Sequence, residues 1–133
     1  FQCDSPHLSE FLFNSIELVC NHLGIQGNLL RFSRLEVDLD KASHAGEWGA
    51  IVSKAHNADE YINSPGGKQF FRLQDYQSRG VKLKFINPLI RKYIHSNQLQ
   101  IESLSILDTL MWCGREETMD IISNDFDLEE AIE

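Results

Sequence analysis

Long apolar runs are missing from this chain. No stretch approaches the roughly 18 consecutive apolar residues that a membrane-spanning helix needs, so membrane insertion is not expected. Bases are scarce as well: 12 Lys and Arg stand against 20 Asp and Glu, a formal net charge of −8. Nucleic-acid surfaces draw most of their affinity from clustered Lys and Arg, and that balance argues against a nucleic-acid partner. Cysteine is limited to Cys3, Cys20 and Cys113, which cannot all pair and never form a Cys-x-x-Cys spacing; reduced thiols in a cytoplasmic protein are expected. The five histidines hold no pair at i, i+4, and Cys20 and His22 point to different sides of a helix, so neither a metal site nor a cofactor is expected. No basic-then-apolar leader opens the chain. It starts at Phe1 in place of Met, which reads as a segment of a longer polypeptide.

What is present is one domain's worth of chain, 133 residues with 42% hydrophobic content and no internal repeat. Apolar positions Leu8, Phe11, Leu12, Ile16, Val19 and Leu23 recur at three and four, predicting a helix over 8–23 with one buried stripe, closed by Gly24 and the returning Ile25. Leu29–Phe32 reads as a short strand, and the mixed polar run from Val37 to Ala45 as a mobile loop. A second helix is predicted over 46–57 with Trp48, Ile51, Val52 and Ala55 inward, and a second strand over 60–63.

Leu73 to Arg79 predicts a short helix closed by Gly80, and Val81–Ile86 alternates apolar and basic as a third strand that Asn87-Pro88 stops. Lys82 and Lys84 read as a solvated edge that discourages sheet pairing, with phosphate steering as the alternative. Ser103 or Ser105 caps a helix carrying Ile106, Leu107 and Leu110, and Gly114 separates it from another over 115–122. This order predicts an α/β fold: a short, mostly parallel sheet with helical crossovers, three-layer-like, ending in helices. Residues 1–124 form a single α/β domain in this reading, and the five carboxylates of 125–133 form a solvated acidic tail.

Two stretches put polar groups where a fold prefers apolar ones. In Tyr61-Ile62-Asn63-Ser64-Pro65-Gly66-Gly67 a strand runs into a Pro-Gly-Gly turn, leaving Asn63 and Ser64 at the strand's end. Glycine lets a ligand approach the backbone, and successive N–H groups can cradle an anion such as a nucleotide-sugar phosphate; an ordinary turn is the alternative. In Leu104-Ser105-Ile106-Leu107-Asp108 a carboxylate interrupts an apolar helical run and must find a partner, water or a ligand. Asp108 can act as a general base, with Ser105 on the same helical face; a structural carboxylate is the alternative. Arg91 and His95 complete the candidate set, His95 as the acid/base choice among the histidines and Arg91 as a cation for an anionic substrate.

These motifs are similar to those of the WbqC-like family, bacterial proteins associated with O-antigen and other surface-polysaccharide gene clusters. The likeness rests on Leu23-Gly24-Ile25, Phe32-Ser33, Tyr61 to Gly67, Gly80-Val81-Lys82-Leu83-Lys84-Phe85, and Leu104 to Met111 followed by Gly114, Arg115 and Glu116. It covers about 12–122 and resembles the family's carboxy-terminal portion. The family's opening Pro-Tyr-Phe-Pro-Tyr-like turn and its Asp-Asp and Asn-Arg segments are lacking. So is its Tyr-Pro-Gln, replaced by Tyr93-Ile94-His95 and Leu99-Gln100-Ile101.

The resemblance implies a transferase of aminoacyl or glycine type in surface-polysaccharide biosynthesis, with a nucleotide-sugar or amino-sugar substrate. The other class that fits is a non-catalytic module that binds a sugar nucleotide or docks a synthase, using aromatics such as Phe70, Phe71 and Trp112.

Overall fold

The computed structural model describes residues 7–91 and 104–132. They divide into two compact units, described separately: a helical unit of residues 7–35, 90–91 and 104–124, and a sheet unit of residues 36–89 and 125–132.

In the helical unit, α1 spans Leu8–Leu23 and ends where glycine was predicted to end it. Gly24 adopts φ 79°, ψ 20°, its N–H bonds Asn21 O, and the N–H of Ile25 reaches back to Cys20 O at 2.9 Å, which satisfies carbonyls that a helix end leaves open. Arg115 Nη2 donates to Leu23 O and lies 2.8 Å from where a Cβ on Gly24 would sit. The predicted buried stripe differs. Leu23 is buried, but Leu8, Leu12 and Ile16 stand exposed, because α4 is the one long element of this unit packed on α1 among the described residues.

The predicted strand 29–32 is not formed. Phe32–Arg34 is a single 3₁₀ turn, and Arg31 reaches Glu10 at 3.2 Å while its guanidinium lies over the Phe13 ring. A short apolar run carries no periodicity that separates strand from loop, and no ladder partner meets it among the described residues. Helix α4, Ile106–Asn124, is broken at Gly114 (φ 72°, ψ −177°), as the sequence predicted. Thr118, fully buried, donates to the Gly114 carbonyl at 2.6 Å and steadies the break.

The sheet unit holds α2 (Trp48–Ala55), β1 (Glu60–Asn63), α3 (Leu73–Gln77), β2 (Lys82–Pro88) and β3 (Phe126–Glu130). Strand order is β1-β2-β3, with β1 and β2 parallel and β2 and β3 antiparallel. The expected mostly parallel, three-layer sheet is thus corrected to a small mixed one. The antiparallel neighbour comes from the stretch expected to be an acidic tail. Its alternating Phe126-Asp127-Leu128-Glu129 suits a ladder, and two bases receive its charge: Lys68 bonds Glu129 at 2.5 Å and Lys84 lies 4.0 Å from Glu130.

Strand β2 is central, so Lys84 does not guard an edge. It bridges Glu60 of β1 at 2.7 Å, which holds the Glu60 carboxyl below and the Lys84 ammonium above their ordinary ranges. Pro88 does not lie beyond the strand either; it is paired with Phe126 at the last rung, and Leu89 N–H bonds Asp125 O.

The core of this unit is Ala50, Tyr76, Val81, Leu83 and Phe85, with Tyr61, Phe71 and Leu73 packed against it. Helix α2 turns a different face inward from the one predicted: Ala50 and Ser53 are buried and Trp48 is exposed. Small residues win this face because the aromatic layer stands so close. A Cβ on Gly49 would lie 2.6 Å from both Tyr61 Cζ and Tyr76 Oη. Helix α3 closes at Gly80 (φ 72°), with the Val81 N–H returning to Tyr76 O at 3.0 Å.

Candidate functional site

Strand β1 delivers its carboxyl end to the Ser-Pro-Gly-Gly stretch, which is a 3₁₀ helix, Pro65–Phe70, with proline at its first position. Asn63 organises the junction. Its Nδ2 donates to Tyr61 Oη at 3.1 Å and its Oδ1 accepts the Ser64 N–H at 2.7 Å, so both ends of the amide are engaged and Ser64 is turned outward.

Gly66 alone among the glycines of this unit combines a backbone without positive φ with an unobstructed Cβ position. A Cβ on Gly66 would meet nothing within 4 Å, while one on Gly67 would meet Phe71 at 3.2 Å. Lys68 follows in the same turn, but its ammonium is bound to Glu129 and lies over the Phe85 ring at 5.1 Å. That contact, with the Asn87 amide, holds the Glu129 carboxyl below the usual range. Lys68, Glu129, Phe71 and Phe85 line a small cavity of about 180 Å³.

Beside the end of this 3₁₀ helix lies a polar cluster that the sequence reading passed over. A Cβ on Gly46 would fall 1.8 Å from Phe70 O and 3.1 Å from His44 Nδ1, so the 44–47 segment abuts the helix that carries Gly66 and Gly67. His44 Nε2 and Asp75 Oδ2 are 2.9 Å apart, each side chain 22% exposed. Glu47, 7% exposed, accepts the Ser43 N–H at 2.7 Å and is bridged by Arg79 Nη2. The Ser43 amide first, and then Arg79, holds the Glu47 carboxyl below the ordinary glutamate range.

Arg79 Nη1 also donates to the Asp75 carbonyl at 2.7 Å, and the fully buried Tyr76 donates its hydroxyl to Gly46 O at 2.9 Å. Burial drives the Tyr76 phenol far above its ordinary range and that of Tyr61 upward as well. The segment read as a mobile loop is tied down at its 43–45 end. No local signal could have found the His44–Asp75 pair, whose members are 31 positions apart and fit no motif.

The remaining predicted residues belong to the helical unit. Ser105 caps α4: its Oγ accepts the Leu107 N–H at 3.3 Å and its carbonyl accepts the Asp108 N–H at 2.9 Å. Asp108 is half-buried in the first turn, on the chain segment predicted for it. Arg91 is paired with Asp120 at 2.6 Å, which lowers the Asp120 carboxyl. His95 and Ser103 lie outside the described residues. The structure therefore brings Asn63, Ser64, Gly66 and Gly67 together in the one unit and Ser105 with Asp108 in the other. In the helical unit, two cavities of about 340 and 280 Å³ both reach Cys20; Ser105 and Ile106 line the second, and Asn21 and Asn28 the first. No helix among the described residues is long and apolar enough to cross a membrane.

A mixed α/β chain with a glycine-bearing bend at a strand's carboxyl end is the class these observations define. Its sequence matches the model of the WbqC-like protein family over residues 1–120, and the chain belongs to that family. The family is associated with polysaccharide biosynthesis. No curated protein and no solved structure matches the chain.

Proposed function

We propose that this chain acts as a transferase of aminoacyl or glycine type in bacterial surface-polysaccharide (O-antigen) biosynthesis. It corresponds in this reading to the carboxy-terminal portion of a larger family member. The substrate is an amino sugar or its nucleotide-linked form, held at the carboxyl end of β1 by Asn63, Ser64, Gly66 and Gly67. Ser105, Asp108, Arg91 and His95 are the further residues to which this reading assigns a role in the reaction.

The observation that carries the reading is Gly66. Its backbone asks for no left-handed conformation and its α-carbon faces open space, so nothing within the described protein requires glycine there. Room for a ligand against the backbone is the reason this reading assigns to it. The place fits too, since open α/β sheets bind ligands beyond strand carboxyl ends.

The test uses the full-length protein in a strain lacking its own copy, with aminoacyl substituents on the surface polysaccharide read by mass spectrometry. Gly66→Val and Ser64→Ala are expected to remove the substituent while thermal melting is unchanged. An unaltered polysaccharide in the deletion strain defeats the reading.

A second reading is favoured by one specific feature. Phe70 is 63% exposed in the sheet unit and Met111 86% exposed in the helical unit, and exposed apolar side chains suit a module that docks a synthase. Under that reading Asp108→Asn and Ser64→Ala leave the polysaccharide unchanged, and partner capture is lost when Phe70 or Met111 is replaced by serine.

A further inference from the structure

We infer that His44, held by Asp75, is the proton-accepting group of the site, and that its reactive nitrogen is Nδ1. The inference deepens the transferase reading above and rests on it. The carboxylate of Asp75 can only accept, so at a 2.9 Å contact it is His44 Nε2 that carries the ring proton. In the neutral ring Nδ1 then carries the lone pair, and it makes no hydrogen bond among the described residues. It stands near the point where a Gly46 side chain would begin, next to the carbonyl of Phe70, at the end of the helix bearing Gly66 and Gly67.

Holding the loop in place does not require this pair. Residues 43–47 are already fixed by the Ser43 N–H on Glu47, by Glu47 on Arg79, and by the buried Tyr76 hydroxyl on Gly46 O. Asp75 likewise has a structural duty that its side chain does not serve, because Arg79 and Ser78 both bond its backbone carbonyl. A carboxylate that orients an imidazole while the second ring nitrogen has no protein partner is the arrangement of an oriented general base.

In the transfer, the amine nitrogen of the acceptor sugar attacks the carbonyl carbon of an activated acyl donor of thioester or ester class. The C–N bond forms, the C–S or C–O bond breaks, and its electron pair leaves with the sulfur or oxygen. The proton shed by nitrogen passes to His44 Nδ1 and from there to the leaving group. Asp75 is a positioning residue, fixing the tautomer.

The test uses purified full-length protein with an amino-sugar nucleotide and a glycyl thioester as probes, the N-glycyl product being read by mass spectrometry. His44→Ala is expected to lower kcat by about 10²-fold or more, general bases being worth about 10²–10⁴-fold. Added imidazole restores part of the rate. Asp75→Ala lowers kcat with KM unchanged, and ¹⁵N NMR of the His44 ring then shows loss of the Nε2–H tautomer seen in the parent.

Should His44→Ala melt early, His44→Gln and Asp75→Ala carry the test at a temperature where they remain folded. Turnover kept by both His44 variants overturns the inference and leaves the transferase reading standing. A parent protein that makes no product, with its Nε2–H tautomer intact, overturns that reading and the inference with it.

Discussion

The sheet unit and the helical unit use their apolar residues in opposite ways. In the sheet unit Tyr76, Leu83 and Phe85 are buried under Tyr61 and Phe71, ring against ring at 5.4 to 6.1 Å, and the neighbouring charges are matched in pairs. In the helical unit Leu8, Leu12, Ile16 and Met111 face outward, and Leu23 and Thr118 alone are buried among its described residues. Stability in the first is set by steric fit, so single atoms count. In the second it is set by backbone closure at Gly24 and Gly114, and side chains on the surface are free to serve something else.

The largest effect that tests this contrast is Gly46→Ala. The added carbon would occupy the space of the Phe70 carbonyl, and backbone cannot swing aside, so a loss of about 3 kcal/mol or more is expected in urea denaturation. Gly66→Ala, placed in open space twenty positions on, is expected to leave the same curve unmoved. Equal losses from the two would break the steric account.

Tyr76→Phe comes next. It strips the buried Gly46 carbonyl of its donor, and a cost of about 1–3 kcal/mol is expected by the same measurement. In the helical unit Gly114→Ala forces a side chain into φ 72°, ψ −177°, for a loss of about 1–3 kcal/mol. Circular dichroism should report it as reduced helix content, with the sheet unit's aromatic signal retained.

Smaller still is an acid effect centred on Glu47. Its carboxyl is held below the ordinary range in the folded protein, so the stabilisation it gives is complete above the unfolded glutamate value and is lost as pH falls through the folded one. Glu47→Gln is expected to flatten the fall of melting temperature on acidification over that window. The smallest change of all is expected from Met111→Gln, within about 0.5 kcal/mol, since an exposed side chain gives up little. A large loss there would show that the helical unit has packing of its own.

Which parts of this could be read from the chain follows the same divide. Gly24, Gly80 and Gly114 were legible as helix ends because positive φ is a local demand that glycine alone meets cheaply. Helix α1 was legible in extent but not in exposure, since period tells which residues share a face and nothing of what lies opposite. Strand β3 was hidden by its acid: the carboxylates that argued for a solvated tail are neutralised by Lys68 and Lys84, one of them 61 positions away.

The site divides likewise. Asn63 and the glycine bend were marked by composition at a strand end, whereas His44 and Asp75 are joined by the packing of α3 beside the loop before α2, a meeting no spacing rule encodes. Gly46 and Gly49 were passed over for a related reason. Their necessity comes from Phe70, Tyr61 and Tyr76, which the fold brings in from elsewhere.

Strand β3 also bears on how the protein is made. The ribosome releases residues 36–89 and then all of 90–124 before the segment that completes the sheet. At roughly 5–20 residues per second, β2 waits for about a few seconds with one row of amides and carbonyls unclaimed. During that interval the nascent chain offers a template to any passing strand, and a shortened transcript ending before Phe126 would leave the template open for good. A ribosome-stalled product should therefore bind chaperones or aggregate more readily than the released protein.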